Sequence, residues 1–170
     1  LTSPLTSSNA NTINVISVVE QGKATFFCSR ESIKDYNFPR NYYEETISVD
    51  EARQKYDIPI YILAGHTFGM VDITARHDSV VMVINYQIDD KIVDTIQRVD
   101  NNLEWELSIY YVEDKYYEHK FENGARAYAG LISDSSLLCY YFYKDQSLTL
   151  YTKDMEWPEV MELLRNVGEF

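Results

Sequence analysis

Three histidines, two cysteines and a set of adjacent acidic pairs are the residues of this chain best equipped for chemistry. His66, His77 and His119 each fall at or near an expected turn or strand end. None stands four residues from another on a helix, so the pairing that lets a helix hold zinc is not formed. Cys28 and Cys139 are too few and too far apart for a structural zinc site, which takes four ligands in close pairs. They read either as one disulfide or as two buried thiols. Both sit in apolar strand contexts, which keep a thiol protonated and inert rather than nucleophilic. No G-x-S-x-G elbow is present for a serine nucleophile.

The paired carboxylates are Glu44–Glu45, Asp50–Glu51, Asp89–Asp90 and Glu113–Asp114. Glycoside hydrolysis needs two carboxyl groups facing one cleft. These pairs instead fall in turns or in the first turn of a helix, where acidic residues belong for local reasons. They also lack the oxygen-ligand alternation and turn glycine of a calcium loop. The six glycines are scattered, so no phosphate-cradling loop can be built. The expectation is no catalytic residue, no cofactor-binding residue, no metal ligand and no cofactor.

The elements that would position any such site are mostly strands. The cleanest is 103–112, where Leu103, Trp105, Leu107, Ile109 and Tyr111 share one face and Glu104, Glu106, Ser108 and Tyr110 the other. That period of two marks a sheet with one buried and one wet face. Similar runs cover 68–76, 80–88, 92–99, 116–121, 125–132, 137–143 and 147–152, separated by turn signals such as Asn123-Gly124. Nearer the start, Ile13, Val15, Ser17 and Val19 alternate, and 24–28 is apolar, giving one or two short strands; 29–43 reads as irregular.

Two helices are expected. Ser48-Val49-Asp50-Glu51 is a capping box, in which the Ser48 oxygen accepts from the Glu51 N–H and the Glu51 carboxylate reaches the Ser48 N–H. This opens a short helix near 48–56, which Pro59 must end. At the chain's end, Val160, Leu163, Leu164 and Val167 form one helical stripe over 157–167, with Pro158 in the first turn and Gly168 at the capping position. The predicted fold class is α+β: a curved antiparallel sheet, a meander of about seven to nine strands, with both helices packed on one face.

At 170 residues the chain suits one domain, 13–170, preceded by a Ser/Thr/Asn-rich tether at 1–12. The tether is what removal of an upstream membrane anchor would leave. A net charge of −12 repels phosphate backbones and anionic headgroups, so nucleic acid is excluded as a partner and membrane contact is expected only through that anchor. No run approaches the ~20 apolar residues that span a bilayer. Fifteen tyrosines include the pairs Tyr42–Tyr43, Tyr110–Tyr111, Tyr116–Tyr117 and Tyr140–Tyr141. Neighbours on a strand point to opposite faces, so one ring of each strand pair should enter the core and its neighbour the solvated face. Tyrosine suits a half-buried pleat, and an exposed tyrosine face also suits a glycan or peptide.

The stretch Ser48-Val49-Asp50-Glu51-Ala52-Arg53, followed by Ile58-Pro59-Ile60-Tyr61-Ile62-Leu63-Ala64-Gly65-His66, resembles a family of uncharacterised domains from Gram-positive bacteria. Ala52 matches the family's helix alanine, Pro59 and Tyr61 its extended stretch, and Gly65 its turn glycine. Ala64 stands where a second proline is usual and His66 where an aromatic is usual. The resemblance covers about 48–170. It implies the extracytoplasmic part of a lipoprotein or of a membrane-bound anti-sigma factor, lends weight to the disulfide, and brings no catalytic residues with it. The expected function is a non-enzymatic, surface-anchored binding or sensing domain for an unknown small molecule, glycan or protein. Its ligand would lie on the tyrosine face or beneath a mobile closing helix. The rival is a cell-wall hydrolase using surface carboxylates.

Overall fold

The computed structural model describes residues 12–32, 34 and 36–170. The proposed tether at 1–12, apart from Thr12, lies outside the described residues. The strands are β1 (Asn14–Glu20), β2 (Lys23–Ser29), β3 (Tyr43–Ile47), β4 (Tyr61–Leu63), β5 (Val71–Ala75), β6 (Ser79–Ile88), β7 (Lys91–Asp100), β8 (Glu104–Tyr110), β9 (Tyr116–Lys120), β10 (Arg126–Ser133), β11 (Ser136–Tyr143), β12 (Gln146–Lys153) and β13 (Val167–Glu169). The helices are α1 (Val49–Tyr56) and α2 (Trp157–Arg165). The class is α+β, dominated by antiparallel sheet.

Eight strands form the main sheet in the order β3-β5-β6-β7-β12-β11-β10-β9. Two meanders, β5 to β7 and β9 to β12, are joined where β12 pairs with β7. β8 does not take its sequential place between β7 and β9. It swings out and pairs with β2, making a second sheet of order β1-β2-β8. The alternation expected in 103–112 holds over its second half, with Ile109 and Tyr111 buried and Trp105 and Leu107 half-buried, but Leu103 is exposed, and the strand faces a second layer rather than completing the first.

This second layer changes the expected burial. The main sheet is covered on both faces where β10 and β11 run. On its inner face, α1, α2, β4 and β13 pack over Val80, Met82, Ile84, Ala127, Ala129, Cys139 and Leu150. On its outer face, Tyr128, Leu138 and Phe142 meet Ala24, Phe26, Cys28 and Ile109 of the small sheet. The tyrosine pairs follow the layers. Tyr110 is exposed and Tyr111 buried, as alternation requires. Tyr116, Tyr117 and Tyr140, with Tyr141, depart from the one-wet-face expectation, because both faces there are covered: Tyr141 is buried and the other three are half-buried. The same geometry decides the cysteines. Cys28 lies in the outer core and Cys139 in the inner one, and both are free thiols.

The small sheet sits close because Gly130 lets it. A Cβ built on Gly130 would stand 2.7 Å from Ile109 Cγ2 and 2.9 Å from Tyr111 Cβ. Adjoining hydrogen bonds from the Val112 N–H to the Leu131 carbonyl (2.8 Å) and from the Leu131 N–H to the Lys115 carbonyl (3.0 Å) hold this crossing.

Across the inner face, the extended segment after α1 poses a satisfaction problem, since buried backbone groups must find partners. β13 pairs with one edge of β4. The other edge is met by side chains of the main sheet. Gln97 Oε1 accepts from the Tyr61 N–H (2.9 Å), Gln97 Nε2 donates to the Pro59 carbonyl (2.7 Å), and the Tyr86 hydroxyl accepts from the Leu63 N–H (3.0 Å). Gln146 continues the network, accepting from Gln97 (3.2 Å) and donating to the Tyr36 hydroxyl (3.1 Å).

Local signals differ from the expectation in three places. Glu51 N–H donates to Ser48 Oγ (3.1 Å) as a cap should, but the Glu51 carboxylate takes its bond from Ser48 Oγ, not from the Ser48 N–H. Gly168 is not the cap of the closing helix: Asn166 is, and Gly168 lies in β13. β3 begins at the end of the stretch read as irregular and forms an edge of the main sheet.

Candidate ligand groove

The outer face of the main sheet is only partly roofed by the small sheet. Where β8 ends its cover, a groove of about 420 Å³ opens, within the size range of small-ligand sites. Its floor is Val81, Ile96, Ser147 and Thr149; its wall is Trp105 and Leu107 of β8, with Arg30 at one end.

Strand alternation puts Arg30 there. The β2–β8 ladder runs one step beyond β2, with the Arg30 N–H donating to the Leu103 carbonyl at 2.9 Å. Ala24, Phe26 and Cys28 face inward, so Arg30 continues that row. Its guanidinium carbon lies 4.6 Å from the centre of the Trp105 ring, a stacked cation–π contact. The side chain is only 10% exposed. One Nη donates to the Asp145 carbonyl at 3.4 Å, and the other stands 4.0 Å from Asp100. Nε is buried and, among the described residues, has no hydrogen-bond partner.

Asp100 closes the same end. It accepts from Arg98 Nε (3.0 Å) and from the Asn102 N–H (3.0 Å). Between them, Asn101 Oδ1 is also buried without a partner among the described residues. On the roof side, the Tyr140 hydroxyl donates to the Ser108 carbonyl (3.0 Å), tying β11 to β8. Burial pushes the Tyr140 phenol up to about 12, so at neutral pH it stays a donor. The groove thus offers an immobilised guanidinium, an indole wall and an apolar floor. Those are means of holding a molecule.

The residues singled out from sequence lie elsewhere. His77 is in the β5–β6 turn and His119 on β9, with β7, β12, β11 and β10 between, roughly 25 Å at ordinary strand spacing. His119 packs edge-on to Phe121 (4.6 Å), and His66 follows β4, its N–H donating to the Leu63 carbonyl. Glu45 pairs with Lys55 (2.6 Å), while Asp89–Asp90 and Glu113–Asp114 occupy turns. Among the described residues, no cluster of three or more His, Cys, Asp or Glu is placed to hold a metal ion. No helix among them is long and apolar enough to cross a membrane. The exposed tyrosines do not make one platform: Tyr110 is on the outer face of the small sheet and Tyr151 on that of the main sheet. The groove is also on the side of the sheet opposite α2.

Sequence reasoning missed Arg30 because 29–43 reads as irregular. The available signal was the alternation Ala24, Phe26, Cys28, which reaches Arg30 at the next step. No protein family, curated protein or solved structure matches the chain.

Proposed function

We propose that this chain is a non-enzymatic binding domain and that its ligand lies in the groove of Arg30 and Trp105. The observation that carries the reading is the guanidinium of Arg30, nine-tenths buried, stacked on an indole and keeping an unpartnered Nε at a groove end. Burying a charge with donors unused is costly, and a ligand acceptor there would relieve that cost. The extracytoplasmic location belongs to the same proposal and rests on the resemblance around 48–66.

N-Methylacetamide, which carries one amide donor and one acceptor, is a suitable probe. Titrated into ¹⁵N-labelled protein, it should shift the Trp105 indole and Arg30 Nε–H signals before others. Shifts gathered instead on the exposed Ile16, Val18 and Phe27 patch would overturn the groove as the binding surface.

A further inference from the structure

The groove has a third component besides arginine and indole, which is the edge of β8. The β2–β8 ladder fixes the direction of every backbone group along it. Its terminal bonds, Arg30 N–H to the Leu103 carbonyl and Tyr111 N–H to the Gly22 carbonyl (3.1 Å), show that the odd-numbered residues from 103 to 111 pair with β2. The backbone groups of Glu104, Glu106, Ser108 and Tyr110 therefore point away from β2. Among the described residues, the N–H groups of Glu106 and Ser108 have no hydrogen-bond partner, while the Ser108 carbonyl on the same edge already accepts from the Tyr140 hydroxyl. The groove lies along this edge, since Glu106 lines it together with its neighbours Trp105 and Leu107. An unpaired edge is a template for another strand, and natural sheets usually blunt it with charged side chains, proline or a bulge. β8 has no proline, lysine or bulge, and its charged side chains are Glu104 and Glu106.

We propose, building on the groove reading, that the ligand is an extended peptide that adds as a strand to the β8 edge. Main-chain pairing would supply the affinity, and the floor would receive alternate side chains. Val81 and Ile96 ask for apolar side chains there. Charge narrows the class further. Arg30 and Arg98 are matched in the lining by Asp100 and Glu106, so the groove carries no net charge, while the chain as a whole carries −12. An acidic peptide is repelled by that field, so the occupant is a neutral or basic segment.

The test uses the acetylated, amidated peptide Val-Thr-Val-Lys-Val and the same peptide N-methylated at its three central residues, which cannot pair. With the first, the Glu106 and Ser108 amides should shift, and their hydrogen exchange should slow about tenfold or more at saturation. The methylated peptide should bind at least about tenfold more weakly. Equal binding of the two, with shifts at the Trp105 indole, leaves the groove standing and overturns strand addition. Protection of Val15 and Ser17 on β1 in place of β8 overturns it as well. No response at millimolar peptide also overturns strand addition, and the N-methylacetamide titration then decides separately whether the groove binds anything.

Discussion

Gly130 sets the distance between the two sheets. With Ile109 Cγ2 2.7 Å from where its Cβ would be, Gly130→Ala should force β8 outward and cost about 2 kcal/mol, read as a lower urea midpoint. The same shift would widen the groove that β8 walls. Gln97 is the counterpart on the inner face. It is 2% exposed and satisfies both the Tyr61 N–H and the Pro59 carbonyl. Gln97→Leu preserves bulk but strands two buried backbone groups, so a loss of about 3 kcal/mol is expected in denaturant unfolding. Neither residue was a candidate from sequence alone. Glycine in a strand and glutamine at a buried strand position carry no meaning until the partner layer is known.

At the scale of elements, α1 is the piece most completely foreseen. Ser48 caps it, Val49, Ala52 and Tyr56 bury one face, and the chain leaves it before Pro59. Ser48→Ala should cost about 1 kcal/mol of unfolding free energy, because one orphan N–H loses its acceptor. The closing helix was legible from Val160, Leu163 and Leu164, but Val167, read as the end of the same stripe, lies in β13, which was not foreseen. A three-residue strand exists only because β4 has an edge to offer it. β10 and β11 did carry a warning: Ala127 to Leu131 and Leu137 to Cys139 are unbroken buried runs, the mark of strands covered on both faces.

The whole molecule buries ionisable groups on both sides of the sheet, and this gives it an alkaline limit. Burial pushes the Cys28 and Cys139 thiols from 9.0 up to about 12 and raises the phenols of Tyr56 and Tyr116 as well. Above pH 9 the unfolded chain loses these thiol protons while the folded chain keeps them, so the unfolded state gains and stability falls as pH rises. For the fully buried Cys139 the slope approaches about 1.4 kcal/mol per pH unit between pH 9 and 12. Thermal midpoints should therefore be flat from pH 7 to about 8.5 and drop steeply beyond, in the window those thiol shifts define. A thiol reagent at pH 8 should find neither cysteine until denaturant is added.

By itself the sequence determined the faces of the strands, the cap of α1, the stripe of α2 and the α+β class, since each depends on neighbours within about four residues. Only the tertiary structure decided that β8 leaves the meander, that Cys28 and Cys139 lie in different cores, and that Arg30 meets Trp105 beside an open edge. Those outcomes depend on which strand pairs with which. Periodicity cannot specify that choice, because every alternating strand offers the same ladder, and the packing of both layers together makes the selection.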